Sequence, residues 1–235
     1  MLRFQQYLEE GVNDPAIFKA VFLAGGPGSG KSFIVGKTGL TSMGYKVVNS
    51  DDAFEAAMKK ADMKMTPDNI FSPKGQELRG KAKRLTGTKQ ARYIKGRLGL
   101  VVDGTGKDPE KIARQAQKIQ TLGYKVAMIF VNTDLDTALK RNRMRERSLP
   151  DAEVEAYWKA VQRNTGKFQR MFGKENFLVV DNSEGKNYEK ETLRAYRDVR
   201  KFTDQPHNKK AQKWIDTEKA AIRQAGRTRG GSGGR

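Results

Sequence analysis

Apolar residues along the chain follow two alternating rhythms. Short runs at 21–24, 46–49, 99–103, 126–131 and 177–181 are apolar almost throughout, as strands covered on both faces are. Between them, residues 31–43, 52–61, 73–96, 108–122, 134–147, 151–171 and 188–202 carry apolar positions at helix spacing, bounded by Gly, Pro or Asn-Asp punctuation. Asp108-Pro109 and Pro150-Asp151 read as helix starts, where proline or an acid suits the unpaired N–H groups. Strands and helices alternating through short turns predict an α/β fold. Its five-stranded parallel sheet should carry helices on both faces and bind ligand at the carboxyl ends of the strands. The pattern divides the chain into an N-terminal segment, 1–15, a domain over 16–204 and a basic, partly disordered tail over 205–235. That tail ends in residues too polar to fold alone. Within it, Trp214, Ile215 and Ile222 outline a marginal helix over 209–224, either docked on the domain or ordered by a partner.

The first strand runs directly into Gly25-Gly26-Pro27-Gly28-Ser29-Gly30-Lys31-Ser32, a G-x-x-x-x-G-K-S spacing between strand and helix. Small residues let such a loop turn its N–H groups inward on the phosphates of a nucleotide. Gly25, Gly28 and Gly30 permit the wrapping, Lys31 brings a charge to the β- and γ-phosphates, and the Ser32 hydroxyl suits Mg²⁺. The segment that begins with Phe33 places the positive end of a helix dipole beneath the same anion. ATP and Mg²⁺ are the implied cofactors.

Composition narrows the chemistry further. The chain has no cysteine, which excludes disulfides, thiolate metal sites and cysteine nucleophiles. Its single histidine, His207, excludes a Ser-His-Asp triad and multi-histidine metal sites. No apolar stretch reaches membrane-spanning length and the N-terminus lacks the apolar core of a secretory signal, so a soluble, cytoplasmic protein is expected. Net charge is +19, an excess that points to a polyanionic partner such as nucleic acid. Between Pro73 and Arg97 there are nine basic residues, Arg79, Lys83 and Arg84 among them, against the single acid Glu77. From Gln205 onward eight basic residues stand against two acids. Either stretch is a solvated helix face or a polyanion site.

Remaining acids and arginines discriminate between a kinase, a motor and a switch. Asp51 and Asp52 follow the second strand, where a carboxylate can take the proton of an attacking hydroxyl; the alternative role for either is a helix N-cap. Asp103 ends the third strand, the position of an acid that orders the water shell of Mg²⁺. Its neighbour is Gly104 rather than a water-polarising glutamate, which argues against a motor. Arg141, Arg143, Arg145 and Arg147 crowd one stretch before Pro150, as in an arginine lid that closes over transferring phosphates.

Over residues 20–185 these motifs resemble the P-loop kinase group that contains zeta toxins and bacteriophage polynucleotide 5′-kinases. The loop 25–32 is similar to both. Val102-Asp103-Gly104-Thr105-Gly106, Leu122-Gly123-Tyr124 and Arg147-Ser148-Leu149-Pro150 resemble the toxins, and Lys140-Arg141-Asn142 through Arg145 resembles the polynucleotide kinase lid. The resemblance implies that Asp52, with Phe54 two residues on, is the catalytic base rather than Asp51. It also implies that Arg141, Arg145 and Arg147 stabilise the transition state, that Thr105 lies at the substrate, and that Asn182 and Ser183 lie near the adenine. Those families carry a basic residue three positions after the aspartate, whereas this chain has Glu55; Arg79, Lys83 and Arg84 are the candidates to replace its charge at the acceptor.

The first eleven residues are similar to capsid-targeting peptides of phage internal head proteins, which implies packaging inside a phage head beside DNA. The reading as a whole is an ATP-dependent kinase that phosphorylates a hydroxyl of an anionic acceptor, first a nucleic acid or nucleotide. The alternatives are a zeta-toxin-like UDP-N-acetylglucosamine kinase and a DNA-binding phage head protein with a non-catalytic nucleotide site.

Overall fold

The computed structural model describes residues 11–145 and 148–230, with side chains to residue 225. Five strands, β1 (Lys19–Ala24), β2 (Lys46–Val48), β3 (Leu100–Val102), β4 (Lys125–Asn132) and β5 (Phe177–Asp181), form one parallel sheet in the order β2-β3-β1-β4-β5. Their register is continuous: Val21 lies between Val101 and Ala127, and Ile129 beside Leu178.

Residue parity then sorts the side chains onto two faces. Ala20, Phe22 and Ala24 join Met128 and Phe130 in one core, while Val21 and Leu23 join Ala127, Ile129 and Val131 in the other. Helices α5 (Pro109–Gln120), α7 (Asp151–Phe172) and α9 (Lys209–Gly230) cover the first face through residues such as Ile112, Phe168 and Ile215. Helices α1 (Lys31–Lys37) and α8 (Tyr188–Thr203) cover the second through Ile34 and Val199. A third, smaller core lies between α2 (Ser50–Lys60), α3 (Pro67–Phe71) and α4 (Pro73–Lys95), built on Phe54, Met58, Ile70 and Leu78. It projects from the β2 edge of the sheet. The remaining helix, α6 (Leu135–Arg143), follows β4.

Three elements differ from the sequence reading, and a fourth takes one of the two forms it offered. Helix α1 stops at Lys37 because Gly39 takes φ +65°, a left-handed turn that starts an irregular run to Gly44. Helix α3 is additional, started by Thr66 as cap and Pro67 in its first turn. Helix α6 ends at Arg143 because the Asn142 side chain turns across the following loop, its Nδ2 donating to the Leu149 carbonyl and its Oδ1 accepting from the Leu149 N–H. Residues 209–225 are helical and docked: Ala211 and Ile215 are buried, and Trp214 meets the Phe18 ring edge-to-face at 5.4 Å. The first ten residues, on which the capsid-targeting resemblance rests, and the chain end 231–235 lie outside the described residues.

Candidate active site

The carboxyl ends of β1, β2 and β3 bring the loop 25–32, the acids at 51–52 and Asp103 to one side of the sheet. Two glycines show how closely the loop is fitted there. Gly28, at φ +75°, faces α6 so tightly that an added Cβ would lie 2.3 Å from the Ala138 carbonyl oxygen. Gly30, at φ +84°, is the N-cap residue of α1 and leaves the same 2.3 Å to the Asn182 amide nitrogen. The loop is tied at its root by the Gly25 N–H, which donates to the Thr105 carbonyl at 3.1 Å, and along its length by Asn182 Nδ2, which donates to the Ser29 carbonyl at 2.8 Å. Lys31 curls over the loop, its Nζ donating to the Gly25 carbonyl at 2.6 Å.

The charges nearby act on one another. Lost hydration pushes the Lys31 ammonium below its ordinary pKa and the charge of Arg145 adds to this, while Asp103 and Asp51 oppose it. Asp103 is pushed up, first by burial and then by Asp51 and Asp52, with Lys31 pulling the other way. Asp52 is also raised, by partial burial, then by Asp51 and by Glu55. Glu55 therefore does more than omit the basic residue of the resembling families: it favours protonation of the candidate base. The Asp103 Oδ1 and Ser29 Oγ atoms are buried without a hydrogen-bond partner in the structure. Such atoms require an explanation, and a bound ion, water shell or phosphate supplies one.

Neither aspartate caps α2. That role belongs to Asn49, whose Oδ1 accepts from the Asp51 N–H while its Nδ2 donates to Asp52 Oδ1 at 2.9 Å. Sequence reasoning passed over Asn49, although a strong cap former two residues ahead of Asp51 and Asp52 was its available signal. A cavity of about 290 Å³ opens beside Asp52, between α2 and α4, lined by Val48, Ala53, Leu85, Thr86 and Lys89 among others. Arg79, Lys83 and Arg84, the substrate candidates, do not line it. Arg79 stacks on the Phe54 ring at 4.9 Å, Lys83 and Arg84 point to solvent, and the cation at the cavity is Lys89.

The alternating arginines separate by direction. Arg141 Nη1 donates to the Asn182 carbonyl at 2.9 Å and lies beside Gly30, and the field of Arg145 reaches Lys31. Arg143 turns away to pair with Asp151, and Arg147 lies outside the described residues. Asn182 is buried against the loop with its Nδ2 on the Ser29 carbonyl, and Ser183 Oγ donates to Asp181 Oδ1 and accepts from the Asp134 N–H. Phe33 is 43% exposed and meets the Tyr188 ring edge-to-face at 6.0 Å. Ser32, expected at the metal, is exposed at the start of α1, and Thr105 is exposed with its backbone holding Gly25. Gly26 and Pro27 complete the turn, Gly26 beside the backbone of Trp158 on α7. Asn164, also unread in the sequence, donates to the Gly106 and Lys107 carbonyls and fixes the segment after Asp103.

No curated protein matches the chain. Solved structures share its fold. A kinase-type protein from Chloroflexus aurantiacus superposes with a TM-score of 0.52 at 12% identity over 78% of this chain and 97% of its own. The PezAT chromosomal toxin–antitoxin system of Streptococcus pneumoniae gives 0.52 at 13% identity, covering 85% and 96%. AvrRxo1-ORF1:AvrRxo1-ORF2, solved with ATP, gives 0.52 at 16%, covering 77% of this chain and 62% of that one. Residues 21–170, from the first strand through the phosphate loop, the acids and the arginine stretch, match the model of a family described as an AAA domain, and the chain belongs to that family.

Proposed function

We propose that the protein is an ATP- and Mg²⁺-dependent phosphotransferase whose acceptor is a hydroxyl of an anionic molecule, a nucleic acid or nucleotide. One observation carries this reading: at the carboxyl end of the sheet Lys31 and Asp103 act on each other's charge, with Arg145 in range of Lys31, Asp51 in range of both and Asp52 in range of Asp103, beside a cavity that opens on Asp52. A structural neighbour solved with ATP shares the fold, which supports the choice of nucleotide.

In this reading the loop amides and Lys31 hold the β- and γ-phosphates. Asp52, oriented by Asn49, accepts the proton of the acceptor hydroxyl as its oxygen bonds to the γ-phosphorus. The bond from that phosphorus to the bridging oxygen breaks, and ADP leaves with the electron pair. Lys31, Arg141 and Arg145 offset the charge that grows on the phosphoryl oxygens. The exposed Ser32 hydroxyl and the unpartnered Asp103 Oδ1 fit a magnesium ion and its water shell; when bound, it would add a positive charge against the phosphates.

The cavity size bears on the acceptor. At about 290 Å³ it lies at the lower limit of ligand pockets, ~300 Å³, which suits a nucleoside-sized group better than a whole nucleotide-sugar such as UDP-N-acetylglucosamine. Incubation with γ-labelled ATP and a panel of oligonucleotides, nucleosides and nucleotide-sugars tests the reading. Label should pass to an oligonucleotide or nucleoside and be lost in Asp52→Asn with ATP binding retained. A DNA-binding head protein with an idle nucleotide site would transfer no label in any arm.

A further inference from the structure

Helix α4 is unusual in what it lacks. Its first three turns are anchored by Gly75, Leu78 and Ala82, and its last by the partly buried Tyr93 and Ile94, but no residue from 83 to 92 is buried. A helix that is polar on every side normally survives by pairing opposite charges along its surface. Here Glu77 takes both Lys74 and Lys81, and no acid follows it until Asp103. Lys83, Arg84, Lys89, Arg92 and Lys95 therefore stand along about 20 Å of helix with no ion pair to any described residue. Arg92 and Lys95 are three apart, as are Lys89 and Arg92, and like charges at that spacing weaken a helix. The fold gains nothing from this arrangement, because the core contacts of α4 lie at its two ends.

The position of the rod supplies a use. Leu85, Thr86 and Lys89, in the middle of it, form one wall of the cavity whose other wall carries Asp52. We propose that residues 83–95 are a phosphate-binding arm that holds a nucleic-acid strand while the terminal hydroxyl of that strand enters the cavity between α2 and α4. This rests on the phosphotransferase reading and names its acceptor as a strand end rather than a small molecule. Lys89 serves the phosphate nearest the reacting end, and Lys83, Arg84, Arg92 and Lys95 serve its neighbours.

The test is fluorescence anisotropy of a labelled single-stranded 12-mer across a salt series, with ATP binding by calorimetry and label transfer measured in parallel. If five phosphates are neutralised, log K should fall against log salt with a slope of about −3.5. In Arg92→Gln/Lys95→Gln the slope should drop to about −2 and low-salt affinity by about tenfold or more, with ATP binding unchanged. A control of equal charge, Lys190→Gln/Lys201→Gln, sits on α8 beside β5, at the opposite sheet edge from α4, and should leave the slope as it was. A shallow slope in the parent protein, or equal losses in both double variants, overturns the arm. Transfer to mononucleosides with no response to Arg92→Gln/Lys95→Gln overturns it while leaving the phosphotransferase reading intact. Steep, arm-dependent binding without any label transfer does the reverse.

Discussion

Lys19 offers a test of the fold that leaves the nucleotide site untouched. It is the first residue of β1, at the end of the sheet remote from the loop, and it is 0% exposed. Its Nζ donates to the Gln205 carbonyl and lies 5.7 Å from the Phe202 ring. No carboxylate of a described residue forms an ion pair with it, although the more distant Asp204 favours its charge. Burial, then the neighbouring Lys125, lowers its pKa from 10.5 to about 8. That fall corresponds to about 3 kcal/mol of penalty on the charged form in the folded state. The sign follows from proton counts. Below pH 8 the lysine is protonated whether the chain is folded or not, so the penalty is fully present and stability is independent of this group. Between pH 8 and 10.5 the folded protein has lost the proton that the unfolded chain still binds, and unfolding free energy must rise with pH. Lys19→Met removes the titration and keeps the apolar stem. In urea denaturation at intervals from pH 7 to 10.5, the parent protein should gain up to about 3 kcal/mol relative to the variant, all of it above pH 8. Parallel curves across that window would refute the buried cation.

Three further outcomes follow from named contacts. Asp51→Asn removes one of the charges that raise Asp52, so the acid limb of the pH–rate profile should move to lower pH; a limb that stays in place would separate the two carboxylates electrostatically. Gly28→Ala forces a left-handed residue against the Ala138 carbonyl, a strain of about 1–3 kcal/mol, and ATP affinity by calorimetry should fall about tenfold or more. Ile215→Ala should cost about 2–5 kcal/mol in chemical denaturation, because α9 is part of the main core; a change within error would mean that the helix is not docked in solution.

How much of this was legible in the chain depended on whether the signal was local. The strands are apolar runs and the phosphate loop is a contiguous motif, so both could be read directly, and five strands in parallel order follow from their alternation with helices. Glycine backbone angles are less visible: nothing in the letters says that Gly39 and not Met43 ends α1. The sequence leaves α9 between docking and a partner, because its polar composition hides the few residues, Ala211, Trp214 and Ile215, that meet Phe18 and its neighbours from far away in sequence. The substrate cations illustrate the same limit. Helical spacing places Arg79, Lys83 and Lys89 on α4, but only the packing of α4 on α2 decides that Arg79 is spent on Phe54 and Lys89 faces Asp52. The backbone contacts of Asn49, Asn142, Asn164 and Asn182 are hidden in the sequence for a related reason. Each acts on a backbone group of another segment or of its own turn, and an asparagine carries no mark of which carbonyl it will reach.

Charge pairing connects these observations to function. Away from the site some surface charges are coupled: Lys167 with Glu110, Lys159 with Glu155, Arg194 with Glu191. Exposed pairs of this kind contribute little stability, so their frequency chiefly shows that acids are available where the surface uses them. At the carboxyl end of the sheet the opposite holds. Burial, Asp51 and Glu55 together disfavour the charge on Asp52, and Asp103 keeps a buried oxygen unpartnered. Lys31 is desolvated with a second cation in range, and half of α4 has no counter-charge on any described residue. Each arrangement destabilises the unliganded protein. In the proposed reaction each would be relieved by the same class of ligand, a metal-bound triphosphate on one side and a phosphate-bearing strand on the other, with Asp52 left between them to receive a proton. A protein that only bound DNA would need the cations without the raised carboxylates. A protein that only bound nucleotide would need no bare helix beside Asp52, and the two features meet at a single cavity.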